Sequence, residues 1–211
     1  VGSYGCNLRC PFCQNHEISM AGQDAADTVY LSPEDLAGRA VDARRLGNIG
    51  VAFTYNEPLT GWEYVRDSAK LVRAAGMKNV LVTNGSASLE ILDEILPFMD
   101  AMNIDLKGFQ EAYYQKLGGN LQVVKEFIAH SSHGCHVELT TLIVPGKNDS
   151  IADMGAEARW IASIDEEIPL HITRFFPRYH MLDVAATDTR RVYLLADVAR
   201  RYLKHVFVGN C

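Results

Sequence analysis

Ile49-Gly50-Val51-Ala52-Phe53-Thr54-Tyr55-Asn56-Glu57-Pro58, followed one helix later by Val80-Leu81-Val82-Thr83-Asn84-Gly85, decides how this chain folds. Each run is a short apolar strand that ends in a polar, turn-forming group. Between them Thr60-Gly61-Trp62-Glu63 reads as a capping box, the helix it opens is expected to reach about Ala75, and Gly76 stops it. Strand, polar end, helix, strand is one βα cycle, and a helical crossover of this kind joins parallel neighbours.

The cycle recurs on both sides. Upstream, Ser32-Pro33-Glu34-Asp35 starts a helix, Leu36, Ala40, Ala43 and Leu46 form its apolar stripe, and Gly47 ends it. Downstream, a helix over Ser88 to Phe98 leads to a strand over Ala101 to Ile104 that ends in Asp105-Leu106-Lys107-Gly108. Helical segments from Gln110 to Leu117 and Leu121 to Ala129 precede a strand from His136 to Val144, which ends in Pro145-Gly146. Ser150 and Asp153 open a helix to about Ile164, Leu170 to Phe175 is a strand, Thr187 to Leu203 a helix, and Val206 to Val208 a closing strand. With Val1 to Ser3 read as the end of a first strand, six βα repeats and a final strand are expected. That is short of the eight of a closed barrel. An α/β fold is expected, a partial (β/α)₆ TIM-like barrel of parallel strands in preference to an open doubly wound sheet, because so many strand ends carry polar groups. Those ends open onto one face, where such folds bind ligands.

The chain has 211 residues, 48% hydrophobic and 22% charged, with a formal net charge of −6. One globular domain over 1–211 suffices. It starts at Val1 and stops at Cys211, and both ends read as trimmed from something longer. An acidic chain lacks the basic face that nucleic acid calls for. No apolar run reaches the roughly 18 residues of a membrane span, and no signal peptide is evident. Five cysteines, three of them clustered, read as metal binding in a reducing compartment, the cytoplasm, and not as a disulfide framework.

The cluster is Cys6-Asn7-Leu8-Arg9-Cys10-Pro11-Phe12-Cys13, directly after the expected first strand. A disulfide would leave one thiol over. A structural zinc site takes four protein ligands. A [4Fe–4S] cluster accepts four ligands, so three cysteines would hold three irons and leave one open to an outside molecule. Residues 14–31, which follow, show no periodicity and read either as a flap beside this loop or as plain surface.

The spacing C-x-x-x-C-x-aromatic-C, with Phe12 in the aromatic slot, resembles the signature of the radical S-adenosylmethionine (SAM) superfamily. Further segments extend the likeness in order: Cys-Asn-Leu-Arg-Cys-Pro-Phe-Cys-Gln-Asn, Tyr-Asn-Glu-Pro, Asn-Val-Leu-Val-Thr-Asn-Gly, Asn-Ile-Asp-Leu-Lys-Gly-Phe and Thr-Thr-Leu-Ile-Val-Pro-Gly-Lys-Asn-Asp. Together they resemble the enzymes related to pyruvate formate-lyase activating enzyme, and within that group the branch called the AmmeMemoRadiSam-system radical SAM enzyme. The resemblance implies a [4Fe–4S] cluster on Cys6, Cys10 and Cys13. It implies reductive cleavage of SAM to methionine and a 5′-deoxyadenosyl radical that abstracts hydrogen from a substrate, with a flavodoxin or ferredoxin as electron donor and, in the activase reading, a protein substrate. On that reading acceptors near Asn56 and Glu57 hold the SAM ammonium, and Lys107, beside Asp105, offsets the carboxylate. Thr83 and Asn84 bind ribose, Phe12 and backbone near Pro145 pack on adenine, and His180 touches SAM. Two departures stand out. Gly-Gly-Glu-Pro of the activases is Tyr55-Asn56-Glu57-Pro58 here, and the acidic residue many of them carry before Thr-Asn-Gly is Val82. SAM chemistry is therefore the leading expectation, with glycyl-radical activation as alternative. A non-catalytic zinc or iron–sulfur module, and an ordinary βα enzyme using Asp105 and Lys107 for acid–base work, are alternatives of other kinds. Cys135 is expected in the core.

Overall fold

The computed structural model describes residues 1–22, 24, 25 and 27–211. Six parallel strands form one sheet in the order in which they occur: β1 (Gly50–Phe53), β2 (Lys78–Thr83), β3 (Ala101–Asp105), β4 (His136–Ile143), β5 (Leu170–Arg174) and β6 (Val206–Gly209). Each new strand pairs beside the last, from Gly50 against Lys78 to Thr173 against Gly209. A doubly wound sheet reverses direction at a switch point. This order never reverses, and β1 does not meet β6, so the sheet is an unclosed barrel wall.

The helices are α1 (His16–Ser19), α2 (Pro33–Asp42), α3 (Trp62–Ala74), α4 (Leu89–Ile95), α5 (Glu111–Lys116), α6 (Leu121–Ser131), α7 (Ile151–Ile164) and α8 (Thr189–Ala199). The strands alternate, as pleated strands must. On β4, Val137, Leu139, Thr141 and Ile143 are buried while Glu138, Thr140 and Leu142 are half-buried. The buried set, continued by Leu81, Ile104, Leu170 and Ile172, packs against Val72, Leu92, Phe127, Ile161 and Leu195 of the helices. Burying each such side chain is worth about 1.5–3 kcal/mol. The opposite face looks into the barrel and carries Asn103, Glu138, Thr140 and His171. There Thr140 Oγ1 donates to Asn103 Oδ1 at 2.9 Å, and His171 Nε2 lies 2.6 Å from Glu138 Oε2.

Four expectations need correction. Val1 to Ser3 is not a strand: it runs along the edge of β1, with Val1 N donating to Ala52 O at 2.7 Å and Thr54 N to Val1 O at 2.9 Å, so the sheet has six strands and not seven. Thr60 does not cap α3. Its hydroxyl donates to Glu57 O at 2.8 Å, and Glu57 Oε1 takes Leu59 N at 3.1 Å at the head of a 3₁₀ turn over Pro58–Gly61. The helix over 88–98 is α4 followed by a 3₁₀ turn at Leu96–Phe98, and Pro97 accounts for the break because it cannot donate into an α-helix. The last helix ends at Ala199, four residues short of Leu203. Ser32 and Ser150 do cap, accepting from Asp35 N and Asp153 N at 3.1 and 3.0 Å. The stretch 14–31 contains the short α1, and its residues Gln23 and Ala26 lie outside the described residues. Cys135 packs against the core as expected.

Candidate functional site

The cysteine loop is held over the C-terminal ends of the strands from several sides. Gly5 N donates to Ile18 O at 2.9 Å, Arg9 N to Leu117 O at 2.8 Å and His180 N to Pro11 O at 2.9 Å. Leu8 and Phe12, at 2% and 7% exposure, anchor it in a small apolar cluster of their own with Cys10, Tyr113, Leu117, Val144, Phe175 and Met181. The apolar letters between the cysteines are thus what docks the loop, and its three thiols line one cavity of about 380 Å³.

That cavity is also lined by Phe12 of the loop and by Asn56, Glu57, Thr83, Asn84, Asp105 and Lys107 from the ends of β1, β2 and β3, seven of the eight residues expected to contact a cofactor. Their polar groups are not all free. The Glu57 carboxylate, 1% exposed, accepts Thr83 Oγ1 at 2.6 Å, Asn84 N at 2.7 Å and Leu59 N at 3.1 Å. Burial pushes its pKa up, and those three donors pull it back. The Thr83 hydroxyl and the Asn84 backbone are therefore committed to the protein, and the Asn84 amide is turned toward Cys6 and Asn7. Thr83 and Asn84, expected to bind ribose, both line the cavity, with their donor groups given to Glu57, Asn7 and Cys6.

Lys107 Nζ sits 2.6 Å from Asp105 Oδ2. Burial works against its charge, but Asp105 and then Cys10 outweigh that and hold the ammonium protonated above its ordinary range. Asn56 lines the same cavity; its Oδ1 is buried without a hydrogen-bond partner, while its Nδ2 donates to Ser3 O at 3.4 Å. A buried acceptor left open costs on the order of 1–3 kcal/mol, and a ligand donor would recover it.

His180 is the expected site residue that the structure leaves outside. It is exposed, its ring packs 3.6 Å from that of Tyr179, and Tyr179 stacks at 4.4 Å on His16, whose Nδ1 lies 3.3 Å from Cys13 O. His180 contributes its backbone to the loop and its ring to a stack that ties α1 to the segment after β5. Pro145 is not part of the cavity wall; Leu142 and Phe175 are.

Each thiol has its own surroundings. Cys6 Sγ accepts Leu8 N at 3.4 Å and Asn84 Nδ2 at 3.7 Å, and Cys13 Sγ lies 3.4 Å from Ser19 Oγ. Burial raises the pKa of Cys6 and pushes that of Cys10 to about 11, and the neighbouring thiolates add to both. Three thiols that repel one another as anions favour a cationic guest. Among the described residues no three His, Cys, Asp or Glu side chains converge closely enough to hold one metal ion.

Sequence reasoning missed the groups that hold this frame. Asn148 takes Val144 N at 2.8 Å on Oδ1 and gives Nδ2 to Lys107 O at 2.9 Å and Leu142 O at 2.8 Å, joining the loops after β3 and β4. The Tyr114 hydroxyl accepts Lys107 N at 3.0 Å. Asn148 leaves a trace in the sequence, since it falls within the segment Thr140 to Asp149, and Tyr114 falls within none of the motifs.

Comparison with known proteins agrees with this frame. The profile of the radical SAM superfamily matches residues 1–160. An uncharacterized protein of Methanocaldococcus jannaschii is 36% identical over 209 residues, 98% of this chain and 61% of that protein, so the chain spans less than two thirds of it. Pyruvate formate-lyase 1-activating enzyme of Escherichia coli is 27% identical over 179 residues, 79% of this chain and 71% of that one. Among solved structures, Streptococcus suis SuiB bound to S-adenosylmethionine has a TM-score of 0.75 at 13% identity, covering 100% of this chain and 50% of its own. A domain of pyruvate-formate lyase-activating enzyme from Bacteroides vulgatus has a TM-score of 0.67 at 17% identity, covering 76% of this chain and 99% of its own. At such identities these structures speak to the fold alone. No helix is long and apolar enough to cross a membrane among the described residues.

Proposed function

The chain belongs to the radical SAM superfamily, and from that premise we propose that Cys6, Cys10 and Cys13 hold three irons of a [4Fe–4S] cluster with SAM at the fourth, and that the chain acts as a hydrogen-abstracting enzyme. When bound and reduced, that pair supplies a 5′-deoxyadenosyl radical, with methionine as the other product, for removal of a hydrogen atom from a substrate. The observation that carries the reading is the meeting, on one cavity, of three thiols, the orphaned acceptor Asn56 Oδ1 and the Asp105–Lys107 pair.

The chain's own residues bind and orient. Asn56 Oδ1 accepts from the SAM ammonium. Lys107, kept charged by Asp105, faces the SAM carboxylate. Phe12, Leu142 and Phe175 give the cavity an apolar wall for adenine and keep water out. Glu57 does not touch the ligand with its carboxylate; it holds the ends of β1 and β2 in register. A flavodoxin or ferredoxin is the electron donor in this reading.

The test is anaerobic. The protein is reconstituted with iron and sulfide, reduced, mixed with SAM and assayed for 5′-deoxyadenosine by mass spectrometry, with Cys6→Ala alongside. Product from the wild type alone is expected. Zinc uptake with no effect of SAM would overturn the reading.

The likeness to pyruvate formate-lyase activating enzyme over 79% of the chain supports a narrower version, transfer of the radical to a glycine of a partner protein. SuiB, also solved with a precursor peptide, supports a polypeptide substrate more generally. A glycyl-radical signal in a candidate partner after incubation with the reconstituted enzyme and SAM is the expected outcome of that version, and its absence from every candidate counts against it.

A further inference from the structure

Asn84 sits at the end of β2, 5% exposed, in a ring of hydrogen bonds that leaves its amide no choice of orientation. Ser86 N–H can only donate, and Asn84 Oδ1 accepts it at 2.8 Å. Ser86 C=O can only accept, and Asn7 Nδ2 gives to it at 2.7 Å, which leaves Asn7 Oδ1 to accept Asn84 Nδ2 at 2.8 Å. Two backbone groups of fixed polarity thus settle both amides. One hydrogen of Asn84 Nδ2 is used on Asn7, and the other points to Cys6 Sγ at 3.7 Å. The backbone N–H of Asn84 is held in turn by Glu57 Oε2 at 2.7 Å. A buried carboxylate therefore fixes the turn, the turn fixes the amide, and the amide addresses a sulfur.

The three sulfurs are served unequally. Cys6 has two N–H donors, Leu8 N at 3.4 Å and Asn84 Nδ2. Cys13 Sγ lies 3.4 Å from the Ser19 hydroxyl, a pair in which either atom can donate. Cys10 has no such donor among the described residues. Of these donors, Asn84 is the side-chain amide and the one brought from a different strand end, 78 residues away in sequence.

We propose that Asn84 is a positioning residue that raises the reduction potential of the iron–sulfur centre by donating a hydrogen bond to the Cys6 sulfur; this rests on the cluster reading above. The physical reason is charge. One-electron reduction by an external donor adds one negative charge, spread over iron and sulfur, and a fixed N–H dipole stabilises the more negative state more strongly. Because the amide is already oriented and dry, it need not reorganise when the electron arrives.

The test uses the full chain, reconstituted anaerobically, and reads the reduced fraction by electron paramagnetic resonance during a mediated dithionite titration. Asn84→Ala removes the amide without adding charge. Asn84→Asp keeps the acceptor for Ser86 N and removes the donor. At the potential where the wild type is half reduced, the reduced-to-oxidised ratio is expected to fall about threefold or more in Asn84→Ala and further in Asn84→Asp, with iron and sulfide content as in the wild type. An unchanged ratio in both variants, cluster intact, overturns the inference while leaving the cluster reading standing. A second measurement needs no variant: wild type carrying ¹⁵N in its asparagine side-chain amides is expected to show altered nitrogen hyperfine modulation at the reduced centre, and identical modulation overturns the inference even where the variants fail to assemble. A wild type that assembles no four-iron centre fails the reading under Proposed function itself and takes this inference with it.

Discussion

Glu157 lies under β4 at 2% exposure, with its Oε1 2.5 Å from Thr141 Oγ1, and that hydroxyl is also 3.0 Å from Leu106 O. A hydroxyl has one hydrogen. If it goes to the carbonyl, which cannot donate, the short contact needs a proton from Glu157. Burial pushes the Glu157 pKa to about 8, in keeping with a neutral carboxylic acid. A carboxyl raised on folding contributes stability below its unfolded value of 4.5 that is lost as pH rises toward about 8. Over that window the wild type is expected to lose on the order of 1 kcal/mol per pH unit, and Glu157→Gln to lose much less. Urea unfolding at several pH values checks this, and parallel profiles would refute it. Glu57, the other buried carboxylate, accepts three donors. Glu57→Gln brings an N–H₂ against N–H and O–H donors and is expected to destabilise by about 1–3 kcal/mol, again read by urea unfolding. Asn56→Leu is expected to leave stability unharmed but to weaken SAM binding to the reconstituted protein about tenfold, the worth of a single hydrogen bond of about 1.4 kcal/mol, by calorimetry; unchanged affinity would remove Asn56 from the site.

At the scale of elements, the site depends on how strands end. The turn after β2 needs Gly85 at φ +67, where an added Cβ would lie 2.9 Å from Ile104 Cγ2. Gly85→Ala is expected to cost about 1–3 kcal/mol from the left-handed backbone and overpacking, visible as a lower melting temperature. Because the same turn carries Asn84, the reduced fraction of the reconstituted centre at a given potential should fall with it. The strand ends were legible in the sequence, since apolar runs closed by Tyr55-Asn56-Glu57-Pro58, Thr83-Asn84-Gly85 and Asp105-Leu106-Lys107 mark them by composition. The partners of those groups were not. Thr60 looked like a cap because of its spacing, yet Glu57 supplies the acceptor and uses the same carboxylate to reach Thr83 and Asn84, 26 and 27 residues on. Local rules describe what a residue offers to its own helix or turn, and a buried carboxylate serves whatever the fold brings to it.

For the whole molecule, the unclosed wall β1 to β6 leaves the interior face and the strand ends open, and the cysteine loop closes one end of that opening through contacts with Leu117, His180 and its own apolar cluster. A guest held by Cys6, Cys10 and Cys13 would tie this loop further and stabilise the native state by mass action. The reconstituted wild type is therefore expected to melt several degrees above the apo protein, and Cys10→Ala to melt alike with and without iron and sulfide. Scanning calorimetry under nitrogen reads both, and equal melting of wild-type apo and reconstituted forms would count against a bound cluster.

From the amino-acid order alone came the parallel α/β architecture, the partial barrel, the cysteine loop and the family resemblance, because hydrophobic period, turn residues and ligand spacing are local and survive being read as text. The tertiary structure alone decided which polar groups remain free. It left Asn56 Oδ1 buried without a partner, took the Thr83 hydroxyl for Glu57, turned the Asn84 amide to Cys6, and set the His180 ring outside against Tyr179. Hydrogen-bond donors and acceptors pair with whatever lies within about 3 Å, and that neighbourhood exists only once six strand ends have been brought together.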